Sequence, residues 1–390
     1  MKVKEAEKKM LMQKCKYFKD CGGCSLWNLN YNEQLKKKQK YMENLLKNFG
    51  KPKQIIGMKN PLFYRNKVHH GFTKDRSGNI ISGPYEKGSH WIINADTCLI
   101  EDEICQKIAK SVAIVSKKMR VPIYNEKTGH GVMRRVLVRR GFKTNEIMVV
   151  LVVGDRKFIK KREFAKELLK IHPEITTIIS NLNDKRTSMI LGDKEEVLYG
   201  EGFIRDEILG CTFRISSKSF YQVNPVQTEI LYQTAIDFAD LKGKETIIDA
   251  YSGIGTIGQI AASKAKRLIG IELNPDAVKD ARENAKENKI ENSKYICADA
   301  GKIMVEMAQR GEKADVVFLD PPRSGCTISF MKAVVKINPE KIVYVSCGPE
   351  SLKINLEFFK EQGYEIKEIQ PVDMFPFTEH VESVSLLVKV

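Results

Sequence analysis

From Thr246 onward the chain alternates short apolar runs with helical stretches, and this rhythm constrains its fold more than any other feature. Thr246 to Ala250, Arg267 to Glu272, Lys294 to Cys297, Asp315 to Leu319 and Lys341 to Ser346 read as strands. Between them lie helical patterns at Gly258 to Lys264, Pro275 to Asn288, Lys302 to Arg310 and Ser329 to Lys336. Apolar strands joined by helices pair in parallel and build a doubly wound α/β sheet. Tyr364 to Gln370 and Val384 to Val390 follow with little helix between them, and are expected to add a terminal antiparallel pair. The expected total is seven strands, mostly parallel. Ligands of such sheets gather beyond the carboxyl ends of the strands.

Those ends carry chemistry-bearing residues. Asp249 to Gly258, D-A-Y-S-G-I-G-T-I-G, leaves the first strand and opens a helix, and Gly253, Gly255 and Gly258 fit G-x-G-x-x-G. Glu272, ending the next strand, is placed to hold ribose hydroxyls. A nicotinamide dinucleotide uses the same geometry. Two acids separate the readings. Asp249, expected to face the loop, would repel a pyrophosphate but suits a sulfonium ligand with an amino group. Asp320-Pro321-Pro322-Arg323 ends the fourth strand with a carboxylate fixed by two stiff prolines. Together they point to S-adenosylmethionine and a Rossmann-like methyltransferase domain. Cys347, in K-I-V-Y-V-S-C-G-P, ends the fifth strand. Its bland reading is a buried structural thiol. Its reactive reading is a nucleophile whose pKa is lowered by the positive end of a helix starting near Glu350.

The first half reads as an α+β module, with a boundary that places residues 1–205 before and 206–390 after it. Cys15, Cys21 and Cys24, the last two flanking Gly22-Gly23, are three soft ligands within ten residues. Zinc or an iron–sulfur cluster takes such a set and needs a fourth ligand, for which Cys98 leads and Cys105 stays open. Tyr31 to Phe49 reads as a helix with Lys36-Lys37-Lys38 on its wet face. Tyr64 to Phe72 and Ile80 to Tyr85 read as paired strands with His69 and His70 on the surface. Asp102 to Met119 reads as a helix, and Ile175 to Asn181 and Val197 to Tyr199 as further strands. Val132 to Arg140 and Glu146 to Val153 read as a hairpin presenting Arg134, Arg135, Arg139 and Arg140 to phosphates. With Lys+Arg 65 against Asp+Glu 49, a net charge of +16 points to a polyanionic partner, nucleic acid. No apolar run reaches the ~18 residues of a membrane span, and Met10-Leu11-Met12 is too short for a signal core. Nine scattered cysteines fit a reducing cytosol better than a disulfide framework. Residues 1–14 are expected as a solvated basic tail.

Across nearly its whole length the chain resembles the RNA 5-methyluridine methyltransferases, which methylate C5 of uracil in ribosomal and transfer RNA. The resemblance is carried by Cys15, Cys21, Cys24 and Cys98, by Phe220-Tyr221-Gln222-Val223-Asn224, by the glycine loop, by Asp320-Pro321-Pro322-Arg323, by Ser346-Cys347-Gly348-Pro349, and by D-M-F-P-F-T-E-H-V-E from Asp373 to Glu382. It implies that Gln222, Tyr251, Glu272 and Asp320 contact S-adenosylmethionine. It also implies that Cys347 is the nucleophile and Glu382 the base, with Glu379 and His380 as neighbouring competitors. The four cysteines would hold a 4Fe-4S cluster in an RNA-binding module. The cluster motif is commoner in the ribosomal branch, so 23S ribosomal RNA is the first expected substrate and transfer RNA the second, for a cytosolic monomer with no membrane partner.

The chain departs from the family at Gly348, usually Asn, at Ser252, usually Cys, and at Phe377, usually His. Only 14 residues precede Cys15, so the N-terminal β-barrel of many relatives is expected to be missing. The chemistry stands without the family name. C5 of uracil is a poor carbon nucleophile until a thiolate adds to C6, and a carboxylate must then remove the C5 proton. Tyr251, Phe375 and Phe377 are candidates for stacking on a base taken out of its helix. The rivals are an RNA or DNA amino-group methyltransferase, and an iron–sulfur RNA-binding or redox-sensing protein with a vestigial donor site.

Overall fold

The structure, a computed structural model, describes residues 15–75, 77–155, 158–187 and 189–390. The expected tail at 1–14 lies outside them. The fold is mixed α/β in two compact units. One comprises the described residues up to Asn30, Asn60–Asp206 and Ile215–Lys218; the other comprises Tyr31–Lys59, Glu207–Arg214 and Ser219–Val390. A single sequence boundary near 205 assigns Tyr31–Lys59 to the first unit, whereas its packing groups it with the second.

In the first unit, β1 (Lys67–Lys74), β2 (Ile80–Gly83), β3 (Met133–Arg140), β4 (Ile147–Val153), β5 (Thr177–Leu182) and β6 (Lys194–Tyr199) form a six-stranded sheet ordered β2-β1-β3-β4-β5-β6. β4, I-M-V-V-L-V-V, is buried throughout, as its lack of polar alternation requires. Helices Glu103–Lys118 and Lys161–Ile171 pack on this sheet through Ile108, Val112, Phe164 and Leu168. Asp102 caps the first, its Oδ1 accepting from the N–H groups of Ile104 and Cys105.

This packing overturns two expectations. Arg134, Arg135 and Arg139 are buried, because β3 is an interior strand. Arg134 is 2.7 Å from Glu126 and donates to the carbonyls of Asn183 and Lys185 at 2.9 Å. Arg139 donates to the Ser216 carbonyl at 3.3 Å, and the less buried Arg140 pairs with Asp102 at 2.8 Å. Internal acceptors therefore occupy groups that the sequence assigned to phosphate. His70 is buried too, its ring held between Ser82 Oγ at 3.1 Å and Glu101 at 3.3 Å.

A ribbon of β7 (Phe203–Ile208) and β8 (Cys211–Ser216), which periodicity did not reveal, carries residues of both units. The second unit then builds β9 (Thr246–Ala250), β10 (Arg267–Glu272), β11 (Ser293–Cys297), β12 (Val316–Leu319), β13 (Lys341–Ser346), β14 (Tyr364–Val372) and β15 (Glu382–Lys389). They form a seven-stranded sheet ordered β11-β10-β9-β12-β13-β15-β14. β9 to β13 are parallel, and β15 is antiparallel to both neighbours. Helix Tyr31–Leu45 and the residues after it contribute Met42, Leu46, Phe49 and Ile55 to the same core as Phe330 and Leu356. Lys38 lies on the buried side of this helix, not the wet face expected for the lysine cluster. Among the described residues, no helix is long and apolar enough to cross a membrane.

Candidate active site

β13 ends at Ser346 and the helix Pro349–Glu361 follows, so Cys347 occupies the turn between them. Ser346 Oγ accepts from the Gly348 N–H at 3.2 Å, and Ser351 Oγ donates to the Arg323 carbonyl at 2.9 Å. The thiol turn is thereby tied to the D-P-P-R segment. A Cβ on Gly348 would stand 2.6 Å from that same carbonyl, which gives the unusual glycine a steric reason.

Sheet register gathers the other groups. The last partners of β13 and β15 are Ser346 and Ser383, so Cys347, just past β13, lies beside Glu382, the first residue of β15. Leu319 pairs with both Tyr344 and Ala250, so Asp320 and Tyr251 emerge at the same edge. Tyr251 takes φ 66°, a left-handed conformation costly for a bulky residue and characteristic of ligand-clamping turns. Gln222, Tyr232, Tyr251, Gly253, Thr256 and Asp320 line one cleft. The Tyr232 hydroxyl is hydrogen-bonded to the side chains of Gln222 and Thr256.

The carboxylates play unequal parts. Burial pushes Glu382, 3 % exposed, up to about 8, and the charge of Asp320 adds to the shift. Burial raises Asp320 to about 7. Asp249 is buried, and its Oδ2 accepts from the Gly258 N–H at 2.8 Å. It faces the glycine loop, as expected, and braces it through that bond. Glu272 accepts from the N–H groups of Gly253 at 2.9 Å and Asn274 at 2.7 Å, so it shapes the loop. Gly253, at φ 56°, presents its backbone to open space. A cleft that gathers the Asp320 carboxylate, polar side chains and a glycine turn suits a cationic nucleoside such as S-adenosylmethionine.

The Cys347 thiol is pushed up to about 11, by burial first and then by the charges of Glu382 and Asp320, against a smaller opposite effect of Arg323. The helix end expected to lower it is outweighed. Of the competing bases, Glu379 is exposed, pairs with Lys37 at 2.7 Å and is held below the usual carboxylate range by that contact. His380 Nδ1 accepts from Arg323 at 3.1 Å, and burial and Arg323 lower its pKa. Phe377, expected as a stacking surface, is buried with its ring 6.2 Å from that of Tyr31. Phe375 and Tyr251 keep partial exposure.

Comparison with known proteins fits this geometry. The model of the tRNA (uracil-5-)-methyltransferase family matches residues 30–390. The chain belongs to that family. Family membership makes it an enzyme, an S-adenosylmethionine-dependent RNA methyltransferase, and sets aside the sensor and amino-group readings. It is 42 % identical over 378 residues to an uncharacterized RNA methyltransferase of Halalkalibacterium halodurans, covering 96 % of this chain and 82 % of that one. It is 43 % identical over 392 residues to one of Caldanaerobacter subterraneus, covering 99 % and 86 %. Among solved structures, it resembles the Pyrococcus abyssi tRNA (uracil-54, C5)-methyltransferase in complex with S-adenosyl-L-homocysteine. The TM-score is 0.79 at 27 % identity, over 94 % of this chain and 86 % of that one.

In this family member the first unit carries a second cluster of reactive residues. Cys15, Cys21, Cys24 and Cys98 line one cavity of about 500 Å³, while Cys105, on the buried face of helix Glu103–Lys118, does not line it. Among the described residues, no three His, Cys, Asp or Glu converge as a single-ion site. Sequence reasoning missed Tyr232, which had no signal, and gave Asn224, quoted in the Phe220–Asn224 motif, no role, although it had one. Asn224-Pro225 is a cap followed by a first-turn proline, and the Asn224 side chain also donates to the Met374 carbonyl at 2.9 Å.

Proposed function

We propose that the protein methylates C5 of a uridine in 23S ribosomal RNA through a transient bond between Cys347 Sγ and C6 of the base. The observation that carries this reading is the meeting of Cys347, Glu382 and Asp320 at the carboxyl end of one sheet. After its proton is lost to solvent, Sγ adds to C6 and the electron pair moves through C5 to the C4 carbonyl oxygen. S-adenosylmethionine supplies the methyl group that C5 then binds. Glu382, kept basic by burial, takes the C5 proton, and the Sγ–C6 bond breaks as the ring double bond returns. Gln222, Tyr251, Glu272 and Asp320 hold the donor.

We also propose that the four cysteines, which line one cavity, are the ligands of a 4Fe-4S cluster. That module supports the ribosomal substrate; the Pyrococcus neighbour's own substrate makes transfer RNA the second reading. The test is methylation of total RNA from a strain lacking the protein, with labelled donor and nucleotide mapping. A parallel incubation uses 5-fluorouracil-substituted RNA, whose C5 cannot lose a proton. Label in ribosomal 5-methyluridine and a denaturation-resistant adduct at Cys347 are expected. Absence of any adduct overturns the mechanism, and label in transfer RNA alone overturns the substrate.

A further inference from the structure

The β3 arginines are occupied inside the first unit, so RNA contact there falls to other side chains. A cleft of about 630 Å³ in the same unit is lined by Phe72, Tyr85, Trp91, Tyr124, Lys127 and Arg134. Its volume lies within the ~300–1,000 Å³ of small-molecule sites. Trp91 is 64 % exposed, an uncommon state for the largest apolar side chain. Lys127 Nζ lies 5.3 Å from the centroid of the Trp91 ring. The Arg134 guanidinium lies 4.8 Å from the centroid of Tyr124. Among the described residues the one acid lining the cleft, Glu126, is paired with Arg134 at 2.7 Å and Arg135 at 3.4 Å, so Lys74 and Lys127 leave the mouth cationic.

Both walls are held in place. The Trp91 loop is closed by Glu86 N–H to the Trp91 carbonyl and Ile93 N–H to the Pro84 carbonyl, each at 2.9 Å. The Lys127 turn is closed by Asn125 Oδ1, which accepts from the N–H groups of Lys127 and Thr128 at 2.9 and 3.1 Å. A braced, exposed indole beside ammonium groups matches what an unpaired nucleotide offers, a π-face and a phosphate.

We infer that this cleft binds an unstacked base from a single-stranded segment of the RNA substrate, with the base on Trp91 and its phosphate toward Lys127 and Lys74. The inference rests on the RNA-methylating activity and adds to it a second contact, outside the methyl-transfer site.

The chain has two tryptophans, and Trp27 is buried, so the Trp27→Phe protein reports on Trp91 alone. Titration with single-stranded oligouridylate is expected to quench its emission saturably. Trp91→Ala is expected to weaken RNA binding about 5- to 150-fold, with methyl transfer at saturating RNA unchanged and Trp91→Phe restoring most of the affinity. Lys127→Met should weaken binding in the same direction. Unchanged emission at RNA concentrations that saturate binding, or wild-type affinity in Trp91→Ala, overturns the cleft while methylation still stands. A parent protein that neither binds nor methylates RNA overturns both.

Discussion

Lys38 Nζ lies 2.5 Å from Asp373 Oδ1, and the two side chains are 2 % and 0 % exposed. Asp373 opens the segment that ends at Glu382. The other carboxylate oxygen, Oδ2, accepts from the Tyr31 hydroxyl at 2.8 Å, Lys38 also donates to the Phe375 carbonyl at 3.1 Å, and Gln34 accepts from the Phe377 N–H at 2.9 Å. One helix therefore fixes the loop that delivers the candidate base.

Removing one partner of a buried ion pair strands the other. Lys38→Met is expected to destabilise the protein by about 3–5 kcal/mol, and Lys38→Met with Asp373→Asn by less. Urea unfolding of the two variants checks the order; equal losses would mean the charges do not couple.

Glu382 and Asp320 help to raise the Cys347 pKa, so neutralising either should lower it. In Glu382→Gln, alkylation of Cys347 by iodoacetamide should move its pH midpoint downward from about 11, with burial keeping it above the value of a free thiol. An upward shift would contradict the assigned proximity.

The same substitution should separate bond formation from release. Without a carboxylate to take the C5 proton, Glu382→Gln is expected to lose about 10²- to 10⁴-fold in turnover and to accumulate a denaturation-resistant RNA adduct. Adding Cys347→Ala should abolish that adduct on denaturing gels.

The raised carboxyls also set a pH trend in stability. Glu382 has a folded pKa of about 8, above the 4.5 of an unperturbed glutamate. Its contribution is fully present below pH 4.5 and is lost as pH rises through about 8. The melting temperature of Glu382→Gln relative to wild type should therefore rise between those limits. A flat difference would show that the group is not buried as found.

Cys21 bridges to Glu86, and the Lys87 N–H donates to the Asp20 carbonyl at 2.8 Å, so the cysteine segment abuts the loop bearing Trp91. If the proposed cluster is held there, wild-type protein purified without oxygen carries iron, and Cys24→Ser loses it and weakens RNA binding several-fold, while binding of S-adenosylhomocysteine by calorimetry stays unchanged. Iron-free wild-type protein would overturn the cluster, and undiminished RNA affinity in Cys24→Ser would leave the cysteine segment without a part in recognition.

The parallel sheet was legible because five apolar runs with helices between them admit few other arrangements, and the strand ends carrying Asp320 and Cys347 followed from it. Three features were hidden, each for a physical reason. Arg134 and Arg135 look solvated in sequence, because nothing local announces that Glu126 will neutralise both. Lys38 looked like its neighbours Lys36 and Lys37 because its partner is 335 residues away. The Cys347 thiol was read from its helix alone, whereas two carboxylates from other strands and burial decide its state.

The methyl-transfer unit is discontinuous: Tyr31–Lys59 belongs with strands that begin after residue 206. A chain synthesised from its amino end exposes Met42, Leu46 and Phe49 long before the surfaces that shelter them exist. The stretch Asn60–Asp206 emerges in that interval, so the early apolar helix must wait for its partners. Severing the chain near residue 206 leaves two fragments, each with an uncovered apolar floor.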